Sequence, residues 1–88
     1  MSDSDRRKKN LTVFSRQACA LCDHLVLALE LMRPKYDIEY TKIDVDSDPQ
    51  LQARYGLRVP VLTDADVEIC AGHCEPAEIE SYIAKQLR

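Results

Sequence analysis

The 88-residue sequence predicts a single α/β domain, in which a mixed four-stranded sheet carries helices on both faces in the order β-α-β-α-β-β-α. Three observations lead there. Short β-branched and aromatic runs alternate with stretches whose apolar residues recur three or four apart, the signatures of strand and helix. The first three of these segments fit within about 30 residues, the span of a right-handed βαβ unit with parallel strands. Finally, a chain of this length with 45% hydrophobic residues fills one modest core and is too short for two.

Leu11-Thr12-Val13-Phe14 has the length and composition of a strand buried on both faces. After Cys19, the residues Leu21, Leu25, Ala28, Leu29 and Met32 share one helical face, and Pro34 stops that helix after Arg33. Residues 36–43 alternate with period two, which places Tyr36, Ile38 and Tyr40 on one side of a strand. Ile43 breaks the alternation and Val45 keeps its parity, as a bulge or a strand end near residues 41–42 would produce. Ser47-Asp48-Pro49 is a helix-start signal for a brief helix over residues 50–55, and Gly56 is its expected stop. Two short strands follow, over residues 59–63 and 67–70, joined through Asp64-Ala65-Asp66 as a hairpin. Residues 76–87 form the last helix, with Ile79, Tyr82, Ile83 and Leu87 on one face.

The net charge of −3 is unevenly distributed: residues 1–10 carry +2 and the remainder −5. An acidic domain lacks the basic stripe that phosphate neutralisation needs, so nucleic acid is not an expected partner. The basic run Arg6-Arg7-Lys8-Lys9 falls in a polar segment, and residues 1–9 are expected to be a flexible tail ahead of a domain over residues 10–88. No apolar run reaches the roughly 18–20 residues of a membrane span, and the first ten residues lack the apolar core of a signal peptide. The expected location is therefore the cytoplasm, where four cysteines point to redox chemistry, catalysis or metal binding ahead of a structural disulfide framework.

Cys19-Ala20-Leu21-Cys22 stands where the first strand gives way to the first helix. Two cysteines three apart at a helix start can close a small disulfide. The first of them meets the unpaired N–H groups and positive dipole end of the helix, which favour a thiolate. Cys19 is the expected nucleophile and Cys22, one turn inside, the resolving thiol. Asp23, beside Cys22, disfavours a second negative charge there.

The order of elements, this Cys-x-x-Cys at the first strand–helix junction, and Val59-Pro60 leading into the third strand resemble the thioredoxin fold and, within it, the glutaredoxin-like branch. The resemblance covers roughly residues 10–88 and implies a thiol–disulfide oxidoreductase working through Cys19 and Cys22. It also implies a substrate-binding set. Arg16 matches the basic position three residues before the first cysteine, where it would support the thiolate or a carboxylate of a glutathione-like substrate; the plainer reading is an exposed loop charge. Pro60 would be cis, with Val59 offering backbone groups to substrate. Ala20 and Leu21 replace the common Pro-Tyr between the cysteines. Gly72-His73 stands where a glycine pair usually lets substrate approach the backbone, so His73 places a side chain in its way. The implied partner is a protein disulfide or a glutathione-type thiol, with glutathione as co-substrate and no tightly bound cofactor, and the chain is expected to act as a monomer.

Two other readings stay open. Cys19, Cys22, Cys70 and Cys74, with His24 and His73 near them in sequence, offer enough thiolate and imidazole ligands for a tetrahedral zinc site. Alternatively, Cys70 and Cys74 pair with each other. A non-catalytic binding module of the same fold is a third class, against which the intact Cys19 and Cys22 weigh. Tyr36, Tyr40, Tyr55 and Tyr82 read as core or core-edge residues, and His24 as a surface residue.

Overall fold

The computed structural model describes residues 9–86. In chain order they form β1 (Lys9–Ser15), α1 (Ala20–Met32), β2 (Ile38–Asp44), a 3-10 turn (Val45–Ser47), α2 (Pro49–Tyr55), β3 (Val61–Asp64), β4 (Val67–Ala71) and α3 (Pro76–Gln86). The sheet order is β2-β1-β3-β4. β1 runs parallel to β2 and antiparallel to β3, and β4 is antiparallel to β3, so the mixed four-stranded sheet expected from the sequence is the one that forms. Residues 1–8 of the expected tail, and Leu87 of the expected last helix face, lie outside the described residues.

Two apolar clusters divide the helices between the two faces. On one face Leu25, Ala28, Leu29 and Met32 of α1 and Ile79 and Ile83 of α3 pack on Leu11, Val13, Ile38, Leu62 and Cys70 of the sheet. On the other, Tyr55 at the end of α2 packs with Val45 and Val61, and its ring stacks on Phe14 of β1 with centroids 4.0 Å apart.

The buried stripe of α1 differs from the expected one at its first member. Leu21 is 42% exposed, and Cys22 takes the inward place, three residues before Leu25 and seven before Leu29. In β2 the pairing with β1 runs unbroken from Ile38 to Asp44, so neither the bulge nor the strand end expected near residues 41–42 is there. Instead the strand changes which face it buries: Ile38 and Tyr40 belong to the α1 side, while Ile43, paired with Phe14, meets the α2 side. Tyr36 precedes the strand and still packs against the same cluster as Ile38.

The hairpin between β3 and β4 turns on two residues, Ala65 and Asp66, with Ala65 at φ 53°. Between Leu62 and Thr63 the register shifts, leaving Ile69 as an extra residue, and this bulge turns both Ile69 and Cys70 toward the larger cluster. Asp48 caps α2 by accepting from the Gln50 N–H at 2.8 Å, with Pro49 in the first turn. Gly56 ends α2 as expected, though not by a left-handed turn: its φ is −56°. A Cβ there would lie 2.4 Å from the Gln52 carbonyl oxygen, so close backbone approach is what calls for glycine.

Strand directions set two poles. At one, Lys9 at the start of β1 pairs with Asp64 at the end of β3 (2.9 Å), and the Tyr82 hydroxyl of α3 donates to the same carboxylate at 2.8 Å. At the other, the ends of β1 and β4 and the start of β3 come together through the pairs Phe14 with Val61 and Val61 with Ala71.

Candidate functional site

The second pole carries the cysteines. β1 delivers the chain to residues 16–18, where Ala18 turns it at φ 55°, and Cys19 becomes the N-cap of α1 in an extended conformation (φ −121°, ψ 106°). The cap is made by sulfur: the Cys22 N–H points at Cys19 Sγ, 3.1 Å away, and the Asp23 N–H donates to the Cys19 carbonyl at 3.1 Å. A thiolate at this position would keep that N–H and gain the dipole of a 13-residue helix. Cys19 and Cys22 form a disulfide, with Cα atoms 5.2 Å apart. The two sulfur-bearing residues differ in exposure: Cys22 is 3% exposed and Cys19 is half-buried. The accessible side of the pair is therefore Cys19, with Cys22 behind it.

Two further segments reach this pole. The Val59–Pro60 peptide bond is cis and immediately precedes β3, with Pro60 buried and Val59 half-buried against Tyr55 and Val61. After β4, the Gly72 N–H donates to the Pro60 carbonyl at 2.8 Å, which fastens the Gly72-His73 loop to the proline. Gly72 has φ 71° with open space where a Cβ would be, so its backbone conformation is what favours glycine. His73 is exposed and its Nε2 lies 2.6 Å from Glu75 Oε2. Ala20 and Leu21 are exposed beside the disulfide, and Leu57, two residues before Val59, is fully exposed.

Arg16 is neither an idle loop charge nor a free cation. Its Nε and Nη2 donate to the two carboxylate oxygens of Asp46 at 3.0 Å each, and Nη1 donates to the Gly56 carbonyl at 2.8 Å. The guanidinium thus ties the loop before Cys19 to the 3-10 turn and the end of α2. Asp46 also accepts from Gln52 Nε2 at 2.8 Å. The Arg16 hydrogen bonds, then that of Gln52, bring its carboxyl down to about 2. Sequence reasoning did not find Asp46 or the Gly56 carbonyl. The only local signal was the alternation of acids at Asp44, Asp46 and Asp48 just after β2.

A depressed folded-state pKa means that this contact contributes above the unfolded value of about 3.9 and is lost as pH falls toward 2. Acid titration of folding, followed by circular dichroism, should therefore show a component between about pH 4 and 2 that Asp46→Asn removes.

A cleft of about 400 Å³ opens beside this loop, lined by Ser15, Arg16, Gln17, Ala18, Asp23, Lys42 and Asp44. It presents charges of both signs rather than a cationic pocket for carboxylates.

The other two cysteines do not join the first pair. Cys70 and Cys74 form their own disulfide, with Cα atoms 5.6 Å apart. Among the described residues no three Cys, His, Asp or Glu side chains are grouped to hold a metal ion, and the four-cysteine zinc arrangement is not formed. His24 lies exposed on α1, as expected. Tyr36 and Tyr40 donate to Glu80 and Glu30, edge contacts rather than site chemistry. No helix among the described residues is long and apolar enough to cross a membrane.

Comparison with known proteins agrees with this geometry. The family model described as the glutaredoxin-like domain matches residues 10–84. A structural-genomics target protein from X. campestris superposes with a TM-score of 0.72 at 31% identity, covering 85% of this chain and 96% of its own. A structural-genomics protein from Nitrosomonas europaea gives 0.72 at 30% identity, covering 84% and 89%. A point mutant of thioredoxin from Halobacterium salinarum gives 0.65 at 26% identity, covering 90% and 74%. None of the curated proteins matches the chain.

Proposed function

Because this chain belongs to the glutaredoxin-like domain family, with a thioredoxin-like fold, we propose that it is a thiol–disulfide oxidoreductase using Cys19 as nucleophile and Cys22 as resolving thiol. The observation that carries the reading is the sulfur cap, in which Cys19 Sγ receives the Cys22 N–H at the start of α1 while Cys22 itself is buried.

In the reducing direction the Cys19 thiolate attacks one sulfur of a substrate disulfide. That bond breaks, and the departing sulfur takes the electron pair and a proton. Cys22, deprotonated, then attacks Cys19 Sγ, closes the Cys19–Cys22 bond and releases the second substrate thiol. Two electrons have left the protein for the substrate, and a cellular dithiol or two monothiols return them.

A protein disulfide is the substrate class that the surroundings favour. Leu21 and Leu57 place exposed apolar surface beside Cys19 and Val59, His73 occupies the Gly72 loop, and Arg16 is held by Asp46. A glutathione-type thiol is then the returning reductant rather than a resident ligand. Val59 supplies backbone groups to the substrate beside the cis proline, with Ala20, Leu21, Pro60, Gly72 and His73 lining its path. The protein works without a resident cofactor, as a monomer, in a reducing compartment such as the cytoplasm.

The test is the alkylation rate against pH of fully reduced protein, each cysteine located by mass mapping. Cys19 is expected to react with a midpoint well below the free-thiol value of about 8.5, while Cys22 stays protected. A Cys19 that titrates like a free thiol overturns the proposal.

A further inference from the structure

Cys70 and Cys74 close a loop that joins β4 to α3 and leads from the sheet edge past the candidate site. Their Cα separation of 5.6 Å is one that a disulfide spans without backbone movement. Cys70 is 9% exposed, opposite Leu62 in the sheet and within the larger apolar cluster, whereas Cys74 is half-buried at its margin. Between them lie Gly72 and His73. The disulfide, the left-handed Gly72 and the Gly72 N–H to Pro60 carbonyl bond together hold one loop in one place.

We propose that Cys70–Cys74 is a second thiol–disulfide pair, opened and closed separately from Cys19–Cys22, whose closed form positions the Gly72-His73 wall of the substrate site. The effect on substrate rests on the exchange reading given above; the separate opening does not.

The donor is a dithiol. Its first thiolate attacks Cys74 Sγ, the less buried sulfur, and the Cys70–Cys74 bond breaks with its electron pair and a proton going to Cys70. The donor's second thiolate then attacks its own first sulfur and releases Cys74 as a thiol. The donor ends as a cyclic disulfide, and the protein has gained two electrons and two protons. Reclosure is the reverse, with an oxidised dithiol as acceptor.

The two pairs differ in what the open form gains. Once Cys19–Cys22 is open, Cys19 carries its charge at a helix start, which stabilises it. Once Cys70–Cys74 is open, Cys70 lies in an apolar cluster, which does not stabilise a charge there. Cys19–Cys22 therefore opens under milder reduction, and the loop stays fastened while the first pair turns over.

The full chain is equilibrated in graded mixtures of reduced and oxidised dithiothreitol, quenched by alkylation and mass-mapped, while amide exchange is followed at Gly72. Two steps are expected, Cys19 and Cys22 first, with Gly72 exchange quickening at the second step. A single common step, a Cys70–Cys74 bond that never opens, or Gly72 exchange that follows the first step overturns the proposal.

For the Cys70→Ser/Cys74→Ser double variant, KM for a disulfide-linked peptide should rise at least about threefold with kcat and Cys19 alkylation unchanged, the pattern of lost binding rather than lost chemistry. An unchanged KM in the folded variant overturns the positioning role. Should the wild-type chain fail to reduce the peptide while the two opening steps persist, the exchange reading falls and the second pair stands.

Discussion

Disulfide exchange is expected to disappear in the Cys19→Ser variant, measured as reduction of a disulfide-linked peptide by the dithiothreitol-recycled protein. Serine keeps the size of the N-cap side chain and can still accept the N–H that reaches Cys19 Sγ from Cys22, so the helix start should survive. What it removes is the only partly exposed sulfur of the Cys19–Cys22 pair, and the hydroxyl left behind is not ionised near neutral pH. Cys22→Ser separates the two half-reactions. The first attack still takes place, but nothing stands behind Cys19 to release the substrate, so a mixed disulfide at Cys19 should accumulate and be visible by mass under non-reducing conditions. Exchange at the wild-type rate in Cys19→Ser protein would remove Cys19 from the mechanism. A Cys22→Ser protein that turns over without a trapped species would remove Cys22.

The largest expected loss of stability comes from Leu29→Ala. Leu29 is fully buried where α1 meets the sheet, in the cluster that also takes Leu25, Ile79 and Ile83. Truncation there should cost about 2–5 kcal/mol, the transfer of the lost atoms plus the cavity they leave. Against a total of about 5–15 kcal/mol for a domain, that is a large fraction, and because α1 also presents Cys19, exchange should fail at lower denaturant as well. Leu27, two residues away on the same helix, is 58% exposed, and Leu27→Ala should stay within about 0.5 kcal/mol. Urea midpoints of the two variants decide whether the helix is oriented as described: equal losses would mean that it is not.

That contrast also shows why much of the fold was legible in the sequence. Leu25, Ala28, Leu29 and Met32 repeat with the helical period, and the period alone turns them inward. The same logic went wrong at Leu21, because an apolar residue one position from the stripe is indistinguishable by composition from a member of it, and the small side chain of Cys22 was the one with room to be buried. Ile43 breaks an alternation that locally fits either a bulge or a strand end, and the cause is nonlocal: α2 covers the second face of the sheet only near that end of β2.

The placement of Cys19 and Cys22 at the start of α1 was readable because it depends on two residues and the helix that begins between them. The role of Arg16 was not, since its partners Asp46 and Gly56 lie 30 and 40 residues along the chain and no local pattern links them. For Cys70 and Cys74 the spacing allowed a metal site or a mutual disulfide. Only the bulge at Ile69 and the turn at Gly72 decide between them, by bringing the end of β4 back to the start of α3.

The contact of Lys9 and Tyr82 with Asp64 bears on how the molecule can be handled. It places the entry to β1 and the later turns of α3 together at the pole away from Cys19. A surface anchor or a fused carrier attached ahead of Lys9 or after Gln86 would thus hold the molecule by its base and leave the sulfur-bearing pole facing outward. Immobilised on an electrode or a bead through either attachment, the protein would present Cys19 to large partners in solution. An attachment through Leu57 or His73 would instead obstruct it.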